Sequence, residues 1–142
     1  MNFRGLKSYE KREHVLASLV NPSNILLKNS KIRLIKSDTQ GFECQVLMGL
    51  MNYIHSASHK PVLLLEFWPY GILKSKGSIE VFSQILDNLN YNIFLIDENR
   101  FQLTILQSHQ LLSIGNQLLN TGDKHSHANI LCTHKNRNLL II

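Results

Sequence analysis

The sequence predicts an α/β domain with a parallel sheet, and two observations carry that expectation. Three short apolar runs, residues 32–35, Val62–Phe67 and Tyr91–Asp97, have the length and the aliphatic, β-branched content of strands. The segments between them, 42–54 and 79–89, repeat their apolar residues every three or four positions, the period of a helix with one buried face. Strand, helix, strand, helix, strand with short links makes a pair of βαβ units. Such units cross over right-handedly and lay their strands parallel.

Taken in order, residues 6–20 place Leu6, Tyr9, Val15, Leu16, Leu19 and Val20 at helical spacing, with Ser8 as a cap. "NPSN" at 21–24 breaks that helix. A short apolar piece, 25–27, then leads through "KNSK" into the first core strand. In the first core helix Phe42, Val46, Leu47, Leu50, Met51 and Ile54 share one face, and Lys60 with Pro61 marks its end. The run "VLLLEF" is nearly all apolar, which suits a strand covered on both faces. After "WPYGILKSKG", Ile79, Phe82, Ile85, Leu86 and Leu89 form the second helix face, with Ser78 as N-cap. Beyond the third strand, "YNIFLID", the pattern predicts a strand at 101–106, a helix at 108–119 ending at "NTG", and a last strand at 128–133. These two strands read as a closing pair.

A chain of 142 residues is the size of one domain, and 44% hydrophobic with 18% charged residues is an ordinary globular composition. The formal charge of +5 comes from scattered Lys and Arg with small clusters near the ends. Without a basic stripe interleaved with aromatics, or a finger or RNP-like pattern, it does not point to nucleic acid as the partner. Cys44 and Cys132 lie far apart, outside any disulfide-framework or zinc spacing, and read as small buried thiols. The first residues lack the apolar core of a signal peptide, and no window approaches about 18 unbroken apolar residues. The expectation is a cytoplasmic protein with no membrane insertion.

In open α/β sheets, ligands bind beyond the carboxyl ends of the strands, where loops converge. Two acids occupy such positions. Asp38 follows the first core strand and Glu66 ends the second. A carboxylate there can orient a hydroxyl, accept a proton or bind an amine. Asp38 has a structural reading too, because Asp before a helix is a common cap and "DTQG" is a turn sequence. Glu43, in the first turn of the following helix, complements the helix dipole. Glu66 leans toward a site, since burying an unpaired carboxylate in an apolar strand is costly. Gly41 relieves the turn and Gly49 permits close helix packing. His125 and His127 in "KHSH" lack a nearby acid or Cys and read as a solvated loop rather than metal ligands. Cys132 and His134 point the same way on a strand but have no third group. "WPYG" at 68–71 forms either a wall over the sheet or an aromatic turn on its own core.

The segments "IRLIKSDTQGFECQVLMGL", "KPVLLLEFWP", "NLNYNIFLID" and "HANILCTHK" together resemble the C-terminal half of an FkbM-type S-adenosylmethionine-dependent methyltransferase. The resemblance spans residues 32–135 and rests most on Lys36, Asp38, Gly41, Glu43, Val46, Leu47, Gly49, Pro61 and Glu66. It implies half of a Rossmann-like class I methyltransferase sheet, with residues 32–36 as its fourth strand. It also implies an O-methyltransferase acting on a hydroxyl of a sugar or natural product. Asp38 and Glu66 would then be catalytic, and Asp38, Thr39 and Gln40 would lie beside the methyl donor of S-adenosylmethionine. Two departures stand out. Ser37 replaces an aliphatic residue, and nothing before Ile32 supplies the glycine-rich loop that holds the cofactor, since Gly5 stands alone. The chain therefore divides into an N-terminal segment, 1–31, with a helix, and a partial methyltransferase domain, 32–142. That domain is expected to be truncated and to bind cofactor weakly or not at all by itself. Its first strand, deprived of a neighbour, would be an exposed apolar edge suited to self-association or a partner. The alternative is a non-catalytic α/β interaction domain that pairs through that edge.

Overall fold

Each of the three apolar runs becomes a strand, but the sheet they build is mixed rather than parallel. The computed structural model describes residues 18, 20–26 and 31–136. Its elements are α1 (Pro22–Ile25), β1 (Leu34–Ser37), α2 (Glu43–Ser56), β2 (Val62–Phe67), α3 (Pro69–Lys74), α4 (Ile79–Asn88), β3 (Tyr91–Asp97), β4 (Gln102–Leu106), α5 (Ser108–Asn120) and β5 (Ala128–His134). The sheet order is β1-β2-β5-β3-β4. The first βαβ unit forms as the sequence predicts, with β1 parallel to β2. In the second, β2 and β3 run the same way but are not neighbours, because β5 lies between them antiparallel to both.

The two late strands are not a pair. β4 folds back on β3 as an edge, while β5 fills the centre of the sheet. Its alternation explains the fit. Ile130 and Cys132 are fully buried on one face, and the registers align Leu63, Cys132, Ile93 and Leu106 in one continuous apolar row across four strands. Above that row sit Leu47, Leu50 and Ile54 of α2, Phe82, Ile85 and Leu86 of α4, and Leu111 of α5, all in one buried cluster. Phe67 and Phe82 stack with ring centroids 5.5 Å apart. Burial of each ring contributes on the order of 2 kcal/mol.

The opposite face differs from the expectation of a strand covered on both sides. Val62, Leu64 and Glu66 are only half-buried, alternating with the buried Leu63, Leu65 and Phe67. Neither they nor Leu131 and Phe94 across the sheet belong to the buried cluster.

Two short helices stand where the sequence reads as turn. "NPSN" does not merely break a helix: Asn21 caps α1, its side chain accepting from the Ser23 amide at 2.9 Å. The Ser23 hydroxyl then donates to the Gly49 carbonyl at 2.5 Å and pins α1 to α2. Inside "WPYGILKSKG", Pro69 starts α3. In both, proline occupies the first turn, where its missing N–H costs no helical bond. The helix predicted at 6–20 lies almost wholly outside the described residues. Among those described, no helix is long and apolar enough to cross a membrane.

Candidate functional site

Where β1 ends, the buried Ser37 gives way to Asp38, and the parallel register that pairs Ser37 with Leu65 brings Asp38 beside Glu66 at the strand tips. The Asp38 side chain is 40% exposed and pairs with the Lys36 ammonium at 3.3 Å. Gln40 bridges the two acids. Its Nε2 donates to Asp38 Oδ1 at 3.0 Å and to Glu66 Oε2 at 3.4 Å.

The turn that makes this bridge is left-handed at two successive residues, Gln40 with φ 55° and Gly41 with φ 98°. A side chain is strained at the second. A Cβ at Gly41 would also overlap the backbone of Gly71 on α3, and one at Gly71 would overlap the Trp68 ring. The 38–42 turn and α3 therefore touch backbone to backbone.

Asp38 is not the cap of α2. The N-cap position is Phe42, which makes no side-chain bond, and Glu43 does the capping in reverse. Its carboxylate, 0% exposed, accepts from the Thr39 amide at 2.7 Å and the Thr39 hydroxyl at 2.9 Å. Glu43 is thus structural and Asp38 is left facing the cleft. Thr39, grouped with Asp38 and Gln40 by the resemblance, has both polar groups committed to Glu43. It lines a different, apolar groove beside Phe42 and Met48.

Asp38 and Glu66 open onto a cleft of about 320 Å³ that runs over Leu64 and Ile96 to Glu98, His127 and Asn129. A smaller recess continues it past Gln40 to Trp68 and His125. Sequence reasoning missed Glu98 and Asn129. Glu98 follows β3 directly, so the strand-end rule that found Glu66 would have found it. Asn129 carried no such signal, because it reaches the cleft only through the insertion of β5, which sets it opposite Glu66. The Asn129 amide donates to Glu98 Oε1 at 2.6 Å.

"WPYG" supplies the wall. The Trp68 Nε1 donates to the Lys124 carbonyl at 2.6 Å, fastening the loop that carries His125 and His127 to the start of α3. Lys124 also lies over the Tyr70 ring, 5.8 Å from its centroid. Among the described residues, no group of three or more His, Cys, Asp or Glu could hold a metal ion.

The two acids are displaced in opposite directions. The Gln40 amide and then the Lys36 ammonium hold the Asp38 carboxyl below its usual range. Burial, and then the negative charge of Asp38, push Glu66 up, while His127 works against that rise. Neighbouring carboxylates separated in this way divide acid and base roles, Asp38 ionised first and Glu66 holding its proton longer.

Cys44 and Cys132 are buried free thiols, and burial alone drives the Cys132 thiol far upward. Cys132 and His134 do not form a pair: the first lies in the core, and the second packs edge-on against Tyr91.

No protein-family model, curated protein or solved structure matches the chain. The strand order and the cleft define it as a mixed α/β domain with a polar site at the carboxyl ends of its parallel strands.

Proposed function

We propose that the cleft is the acceptor side of an FkbM-type O-methyltransferase site, where methyl transfer from S-adenosylmethionine meets a hydroxyl of a sugar or natural product. The observation that supports it is the meeting of Asp38, Gln40 and Glu66 at the ends of two adjacent parallel strands. These are residues the resemblance assigns to the acceptor and methyl donor. When bound, the cofactor supplies an electrophilic methyl group. The chain's own residues hold the nucleophile: ionised Asp38 accepts the one proton the hydroxyl loses, and Gln40, anchored on Glu66, fixes the orientation of Asp38.

The residues fit one wall of such a site and not the other. The described residues that line the cleft include no glycine, and among the described residues no glycine-rich turn offers backbone donors to the cofactor's methionine portion. In this proposal that wall comes from a polypeptide seated on the open edge of β1.

Mixing the purified chain with a separately expressed N-terminal half of an FkbM-type enzyme tests the proposal. The chain alone should bind S-adenosylmethionine more weakly than about 10 μM by isothermal titration. The mixture should transfer labelled methyl groups to a sugar panel, and Asp38→Asn should slow that transfer by roughly 100-fold. Failure of every such mixture to transfer methyl, or an Asp38→Asn rate equal to wild type, would sink the proposal.

A second reading, a non-catalytic interaction domain, is favoured by one feature, the outer edge of β1, which pairs with no strand among the described residues and leaves Leu34 exposed.

A further inference from the structure

A second cleft, of about 460 Å³, opens at the other end of the sheet, beneath the starts of β1 and β2 and the end of β5. It is lined by Arg33, Ser58, His59, Lys60 and His134, and among the described residues no carboxylate lines it. Backbone pairing brings these segments together, since the Val62 amide donates to the Arg33 carbonyl at 2.8 Å and carries the β1–β2 ladder down to the cleft floor.

The cationic and donor groups are only partly spent. Lys60 gives hydrogen bonds to the carbonyls of Ile54 and His55, at 2.6 and 2.9 Å, in the last turn of α2. Two of its three protons thus cancel the negative helix end and fix the ammonium, and the third remains. The Arg33 side chain makes no hydrogen bond or ion pair with any described residue, so its fork of five N–H donors is unclaimed among them.

His134 is aimed by its surroundings. Tyr91 meets its ring edge-on at 5.7 Å, and its Nδ1 accepts from the Asn136 amide at 3.3 Å. Burial first, and then the charge of Lys60, hold it below its usual pKa. A neutral imidazole accepting at Nδ1 carries its proton on Nε2, which makes that nitrogen a donor. The His59 Nδ1 lies 3.2 Å from the Ser58 hydroxyl, which links these two lining side chains.

We propose that this cleft binds the phosphate of a phosphorylated ligand, a phosphate monoester or diphosphate. A tetrahedral dianion presents oxygens in several directions at once. Donors converging from three separate segments, with one free guanidinium among them, match that geometry and charge. The concave, bounded shape suits a single headgroup, whereas a polyanion would need a long basic track.

Titration calorimetry of the full chain with inorganic pyrophosphate at low ionic strength tests this. One equivalent should bind with a Kd of about 1 mM or tighter. Arg33→Gln and His134→Gln, each checked for an unchanged thermal midpoint, should weaken binding at least about tenfold. Lys74→Gln removes the same charge from the exposed surface of α3 and should leave the Kd within about twofold. A parallel arm, co-sedimentation with phosphatidylcholine vesicles containing phosphatidic acid, tells a lipid-borne phosphate from a soluble one by which arm loses binding in Arg33→Gln. The proposal is overturned if neither arm shows saturable binding, or if binding is as strong in Arg33→Gln and His134→Gln as in wild type. None of these outcomes depends on methyl transfer.

Discussion

Glu66 meets solvent from a strand whose neighbouring side chains, Leu65 and Phe67, are buried, and this half-desolvated position gives it a pH signature. Its carboxyl binds protons more tightly folded than unfolded, because burial and the charge of Asp38 disfavour ionisation. Above the unfolded value of 4.5 the folded chain therefore holds a proton the unfolded chain has released. Stability from this group is fully present below that pH and is lost as pH rises through the raised folded value. Asp38 has the opposite sign, contributing above 3.8 and losing its contribution as pH falls through its depressed folded value. The thermal midpoint of Glu66→Gln should thus lose less than that of the wild type as pH rises from 4.5. Parallel midpoint curves for the two proteins would show that Glu66 is not perturbed. Both acids were legible in the sequence because each stands at the carboxyl end of a strand-like segment. The role of Asp38 was not, since whether it capped α2 depended on where Glu43 pointed.

At the scale of the element, β1 is a four-residue edge strand whose outer side has no neighbour among the described residues. Leu34 is 55% exposed on it. The far edge, β4, carries Ile105 at the same 55% exposure. Unpaired apolar edges recruit other chains, and a lysine on the edge is a common natural guard against this. Sedimentation velocity over a concentration series should show wild-type association that Leu34→Lys abolishes and Ile105→Lys leaves largely intact. A wild type that stays monomeric at high concentration would remove the edge as a docking surface. The long elements, α2, β2, α4 and β3, were readable because their apolar periods of 3.6 or near-continuous runs are strong signals. The two missed helices both begin at proline, and α3 also contains Gly71. Those residues look like loop signals in sequence. In the fold, proline sits where a helix needs no donor, and Gly71 is there because Trp68 occupies the space of its side chain.

At the scale of the molecule, the sheet order was hidden from the sequence because it depends on a long-range pairing. Nothing local to Ala128–His134 says that it separates β2 from β3 rather than joining β4. Hydrogen bonding on both sides should make β5 and its neighbours β2 and β3 the most protected strands, with β1 and β4 opening first. Amide exchange followed by mass spectrometry checks this, and protection of β4 equal to that of β5 would contradict it. The same arrangement has a consequence for biosynthesis. A ribosome that has delivered everything through Asn120 has produced β1 with β2, and β3 with β4, as two ribbons with no strand to join them. Until β5 emerges, both ribbons present open inner edges to the cell, so a holdase or a translational pause after Asn120 would act on this protein in the interval before β5 arrives.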